Sequence, residues 1–231
     1  MKTNKERLRD IFARLDSLDY IKPEQIPNID LYMDQVTTFM DEHLGQSKRY
    51  EDDKVLTKTM INNYAKNNLL PPPVKKKYSR EHMLLLVFIY YFKNMLSFHD
   101  IETLFAPITE GHFMDASDLS LQDIYEEVFS MEYEQMKRLK EDLIRKFHTS
   151  EESFADQKED KDYLQLFTFI CALGFDVFLK KQAMEMLIDQ IREELLRKHC
   201  PRWTTGCQKK WKFSGCHFIH IMMCFRNCSD I

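Results

Sequence analysis

Glycine is scarce in this chain: five in 231 residues, beside seven prolines. That shortage excludes collagen-like and low-complexity classes. It also argues against loop-rich β-sandwiches and barrels, which need turn residues at short intervals. Long apolar runs are missing as well. The longest uninterrupted one, Met83–Phe92, has ten residues, whereas a membrane span needs roughly 20. The first ten residues are charged throughout, so no signal peptide is expected. No glycine-rich phosphate loop and no H-E-x-x-H pair occurs. His43, His82, His99, His112 and His148 are dispersed without a nucleophile nearby, as surface or capping histidines are. With no catalytic constellation, the chain is expected to be no enzyme and to need no cofactor or metal. The expectation is a cytoplasmic protein, mostly helical, with no membrane partner.

The charge is unevenly placed. The net value is −4, but Lys54–Arg80 holds seven basic residues and no acidic one, while residues 100–160 hold seventeen acidic residues against six basic. A purely basic segment inside an acidic protein fits a polyanionic partner for that segment, and whole-protein charge argues against indiscriminate binding.

Apolar spacing of three and four predicts helices along most of the chain, an all-α fold. Residues 1–25 read as an N-terminal helix carrying Leu8, Ile11, Phe12 and Leu15, ended by Pro23 and Pro27. Ile29–Leu44 reads as the next, with Asp30 as its cap, and Gly45–Asp53 as a polar loop. Thr57 can cap a short helix to about Asn67, and Asn67-Asn68 can end it in the left-handed conformation. Pro71-Pro72-Pro73 forbids helix, and Ser79 then opens the apolar helix expected at the centre of the core. Ser97 and Asp100 form a capping box for a short helix ended by Pro107. Ser120–Phe147 reads as one long helix with Ile124, Val128, Met131, Met136, Leu139 and Leu143 inward. Thr149–Lys161 reads as an exposed acidic linker, and Asp162–His199 as a last long helix, with a bend expected near Gly174.

Three features coincide in residues 57–80: a capped helix with a polar cationic face, a proline-stiffened turn, and a basic strip closed by Tyr78. Thr59, Asn62, Asn63 and Lys66 share one face, opposite Ile61 and Tyr64. One α-helix fits a DNA major groove. Asn62 and Asn63 suit adenine edges, and Thr57, Lys58, Thr59 and Lys66 suit phosphate oxygens. Lys75, Lys76 and Lys77 with Arg80 suit an adjacent backbone or a minor groove. The bland reading is a solvated helix face followed by a charged loop.

The order of residues adds to this. Leu56-Thr57-Lys58-Thr59-Met60-Ile61-Asn62-Asn63-Tyr64, Asn68-Leu69-Leu70-Pro71, Tyr78-Ser79-Arg80-Glu81-His82-Met83 and Leu96-Ser97-Phe98-His99-Asp100-Ile101 together resemble a MerR-type winged helix. Asn28–Val36 and Val74–His82 resemble, more closely, the uncharacterised bacterial domain-of-unknown-function family 1836. The resemblance implies a winged helix-turn-helix over residues 26–110, double-stranded DNA as partner, and a homodimer made by helices within 118–199. It implies a transcription regulator, its effector unspecified. Asn68 stands where the MerR pattern has glycine, and Gly45–Asp53 is longer and more acidic than its tight turn. The alternative class is an all-α protein–protein adaptor without DNA affinity, favoured by the acidity of 100–160.

Residues 200–231 hold five of the six cysteines and both tryptophans. Only Cys224 and Cys228, with His217 and His220, approach zinc-ligand spacing, outside the standard patterns. The bland reading is a divergent or disordered, dispensable tail; the abrupt composition change also allows a shifted reading frame.

Overall fold

The computed structural model describes residues 2–18, 20–113 and 118–199. The expectations for residues 200–231 lie outside the described residues. The architecture is almost wholly helical, with one minor two-stranded ladder. Residues 1–191 form one compact unit, so the N-terminal helix, the 26–110 region and most of 118–199 pack together. The second unit, Arg192–Ile231, is described only in the end of its leading helix, to His199.

Helix α1 (Asn4–Asp16) opens on Thr3, whose hydroxyl accepts the Glu6 N–H at 3.2 Å while the Glu6 carboxylate accepts the Thr3 N–H at 2.7 Å. Strand β1 (Leu31–Tyr32) leads directly into α2 (Met33–Leu44). Helices α3 (Lys58–Lys66), α4 (Arg80–Phe92) and α5 (Phe98–His112) follow, with strand β2 (Lys77–Tyr78) just before α4. Then come α6 (Leu121–Ser130), α7 (Glu132–Glu152) and α8 (Lys161–His199).

The main core is built around α4, as its sequence predicts. Eight successive residues, His82 to Ile89, are all buried, so neighbours cover the helix on every side. Val36 and Met40 of α2, Ile61 of α3, Ile101 and Phe105 of α5, and Tyr125 of α6 belong to the same cluster. The Tyr125 hydroxyl donates to the Ile21 carbonyl at 2.5 Å, and Tyr20 stacks on Phe129 at 5.3 Å. Burial of that hydroxyl pushes its pKa far above the tyrosine range. A second cluster joins Leu143 and Phe147 of α7 to Phe169 of α8, with Leu8, Phe12 and Leu15 of α1 against it.

Four local expectations are corrected. Helix α2 begins at Met33 rather than Ile29, and Asp30 is not its cap. Leu31 is buried in a strand opposite Tyr78, and the Tyr32 N–H is satisfied by the Gln35 side chain at 2.9 Å. Helix α5 runs through Pro107 to His112. A proline inside a helix costs about 3 kcal/mol; Ile108 and Phe113 beyond it pack on the main core and offset that cost. The expected helix Ser120–Phe147 is two, broken at Met131. Leu121, Tyr125 and Phe129 turn α6 towards the main core, whereas Leu143 and Phe147 turn α7 towards the second. Val128, Met131 and Leu139 are consequently exposed rather than inward. Helix α7 also continues to Glu152, so the linker shrinks to Ser153–Asp160, where Phe154 and Asp160 adopt positive φ.

Helix α8 is continuous through Gly174. Among the described residues it is the one helix long and apolar enough, by length and composition, to cross a membrane. Counting uninterrupted apolar runs missed it, because isolated polar residues divide the stretch.

Candidate nucleic-acid interface

Helix α3 is fixed at both ends by its own sequence. The Thr57 hydroxyl accepts the Met60 N–H at 3.2 Å, one of the donors a helix start leaves unpaired. At the other end Asn68 takes φ 59°, a left-handed conformation that Asn tolerates. The Tyr64 carbonyl then accepts N–H groups from Leu69 at 2.9 Å and Leu70 at 3.1 Å. Leu69 and Leu70 are both buried, and they clamp the helix end.

Helix α3 has the two faces its spacing predicts. Ile61 and Tyr64 are buried, while Thr59, Asn62, Asn63 and Lys66 are all exposed. Tyr64 lies near Phe98, ring centroids 6.3 Å apart, and burial pushes its phenol pKa up. The exposed face is free of acidic side chains, since α3 contains none. The helix start is less open. Lys58 is ion-paired with Asp34 of α2, and Thr57 is half-buried at the cap.

The lysine strip forms a tight antiparallel turn. Val74 and Lys77 bridge, the Lys77 N–H donating to the Val74 carbonyl at 2.9 Å. Lys75 and Lys76 occupy the two central positions with φ 52° and 64°. Two successive left-handed residues define the type I′ turn, which normally selects Asn or Gly. A lysine there costs roughly 1–2 kcal/mol of backbone strain. Both lysines are exposed, and among the described residues neither has an ion-pair partner. Lys77 lies over the Tyr32 ring at 5.3 Å.

Two candidate residues are placed elsewhere. Tyr78 is buried, paired with Leu31 across the ladder and edge-on to His82 at 5.5 Å, so it supports the turn and cannot touch a ligand on the surface. Arg80 donates to the Pro23 carbonyl at 2.8 Å, and its Nε is buried. It ties the start of α4 to the segment before β1 instead of reaching outward.

His82, expected only as a surface or capping histidine, is a buried capping one and organises this region. Its Nδ1 accepts the Ser79 N–H at 2.9 Å, so the ring proton sits on Nε2 and donates to the Pro71 carbonyl at 3.1 Å. One imidazole thus caps α4 and pins the proline turn that follows α3. Burial holds its pKa below the ordinary histidine value. The signal was available: a histidine three residues after Ser79 occupies the reciprocal position of a capping box.

The fold is therefore a helical core carrying a short exposed helix and a lysine-tipped turn on one basic segment. Residues 21–128 match the family described as a domain of unknown function, DUF1836. The matched stretch begins at Ile21 and ends beside Tyr125, the two residues joined by the hydrogen bond that closes the main core. No curated protein and no solved structure matches the chain.

Proposed function

We propose that this chain is a DNA-binding transcription regulator of the MerR-like winged-helix type, with α3 as its recognition helix and the Val74–Lys77 turn as a vestigial wing. The observation that carries the reading is the pairing of an exposed Thr59/Asn62/Asn63/Lys66 face with an exposed, strained Lys75-Lys76 turn on a segment devoid of acids. Backbone strain kept at an exposed position is a feature of functional sites. In this reading Asn62 and Asn63 contact base edges, and Thr59, Lys66, Lys75, Lys76 and Lys77 contact phosphates. Lys58 contributes once its pair with Asp34 opens, and Thr57 holds the helix start. The protein acts in the cytoplasm and performs no catalysis.

The test is fluorescence anisotropy of the full chain with duplex DNA across a salt series. A regulator with several phosphate contacts loses affinity linearly in log–log form, with a slope near −0.9 per contact. The second reading, an adaptor without DNA affinity, is favoured by the acidic 100–160 stretch. It is the outcome if no duplex binds even at low salt.

A further inference from the structure

We propose that the cavity where the ends of α1, α2, α4, α6 and α7 converge binds a small organic amine in its protonated form, an ammonium group on an aromatic or apolar body. The inference does not depend on DNA binding.

The cavity holds about 280 Å³, at the small end of ligand sites. It is built from helix ends. Leu18 follows the end of α1, and Leu44 closes α2. Tyr90 and Tyr91 lie in the last turn of α4, and Phe129 in the last turn of α6. Glu132 enters from the first turn of α7. The break at Met131 is what brings Phe129 and Glu132 to one cavity.

Three observations select a cation. The first is charge. Helices α1, α2, α4 and α6 present their C-terminal ends, each worth roughly half a negative charge, against the single positive start of α7. Glu132 adds a carboxylate at that start, and no lysine or arginine lines the cavity. An anion is repelled there and a cation drawn in.

The second is the aromatic wall. The Tyr91 ring stands 5.5 Å from Phe129 and 5.8 Å from Tyr90, and 39% of the residue is exposed. The face of an aromatic ring attracts a cation. The protein already uses this wall in that way on its far side. Lys93, outside the lining, lies over the Tyr90 ring at 5.0 Å with its ammonium held by the Val55 carbonyl. Tyr91 offers a ligand the next ring.

The third is the supply of acceptors. His43 donates from Nδ1 to the Phe39 carbonyl at 2.9 Å, so the lone pair of the neutral ring is on Nε2. The hydroxyl protons along this wall are used inside the protein. Ser17 donates to the Arg14 carbonyl at 2.7 Å, Ser47 to the Leu44 carbonyl at 2.5 Å, and Tyr90 to the Ser47 oxygen. A carboxylate or phosphate ligand would need those donors, whereas an ammonium brings three of its own. Leu18, Leu44 and Met136 supply the apolar surface for its body.

The experiment is a ligand-detected NMR titration of the full chain with phenethylammonium, phenethyl alcohol and phenylacetate. The three share a ring and differ in charge. The ammonium should bind saturably with a Kd on the order of 1 mM, as about nine well-placed heavy atoms give. The alcohol should bind at least ~10-fold more weakly, and phenylacetate not at all. Glu132→Gln should weaken ammonium binding by about 10-fold, the loss of one charge-assisted contact, and leave the alcohol within about twofold. Tyr91→Leu, which removes the ring and keeps an apolar side chain, should weaken the ammonium by about 3-fold. Circular dichroism melting of each variant checks that it is folded. No saturation by ~20 mM ammonium overturns the proposal. Equal binding of the alcohol or of phenylacetate does the same, as does full ammonium affinity in both variants. The three ligands on the unaltered chain decide the matter even where a variant melts early. None of these readouts uses DNA, so failure here leaves the reading of α3 untouched.

Discussion

Helices α4 and α8 both carry a long apolar stretch, and the two stretches meet opposite fates. In α4 eight consecutive residues vanish into the core. In α8, three times as long, Phe169 and Ile188 are the buried apolar side chains among the described residues, while a row of aromatic and branched residues faces outward. The difference lies in position. Helix α4 is enclosed by α2, α3, α5 and α6, whereas α8 has α7 and α1 against one side of its first half. Apolar content says that a helix wants cover; only the arrangement of neighbours says whether this chain supplies it.

The widest separation between the two helices should appear on truncation. Leu85→Ala in α4 removes a wholly buried side chain and should cost about 2–5 kcal/mol in chemical denaturation. Leu179→Ala in α8, where the side chain is exposed, should cost no more than about 0.5 kcal/mol. Equal losses at both sites would mean that α8 is covered within one copy.

Within α3 the same contrast runs across one helix. Tyr64→Ala, on the buried side, should lower stability by roughly 3–5 kcal/mol, as truncating a core aromatic does. On the exposed side, Asn62→Ala and Asn63→Ala should leave the melting curve in place. Each should cost roughly 1–3 kcal/mol of discrimination between a preferred site and random duplex. Asn variants that melt early and keep DNA selectivity would show that the readout face is wrong.

Acid should affect the buried side of this region and spare the exposed one. The folded chain holds His82 neutral, with a pKa below its unfolded value of about 6.5. The unfolded state therefore binds the proton more readily. The contribution of His82 is complete above about pH 6.5 and declines as pH falls below it. Denaturation midpoints at pH 7.5 and 5.5 should differ in wild type, and the part due to this residue should disappear in His82→Gln.

The smallest effect concerns the turn. Lys76→Gly relieves a left-handed lysine, offset by the added freedom of the unfolded chain, and should change stability by no more than about 1 kcal/mol, upward. The same change should flatten the salt dependence of DNA binding by about 0.9. An unaltered slope would take Lys76 out of the interface.

Much of this was legible beforehand because it depends on neighbours in sequence. The caps at Thr57 and Ser97, the left-handed Asn68 and the split of α3 into wet and dry faces follow from residues within one or two turns. What escaped depends on distant partners. Tyr78 and Arg80 read as part of a basic strip, yet one is buried against β1 and His82, and the other is held by the Pro23 carbonyl, fifty-seven residues away in sequence. The break at Met131 was hidden because both halves keep a helical period and differ only in which core they face.

The sequence by itself determined an almost wholly helical chain, its central helix α4 and the exposed polar face of α3, since periodicity and capping act over a few residues. The tertiary structure alone decided that Pro107 lies inside a helix, that Ser120–Phe147 serves two cores, and that the apolar face of α8 stays open. Each of those outcomes turns on whether surface from far along the chain arrives to bury a side chain, and burial is a property of the assembled neighbours rather than of the residue.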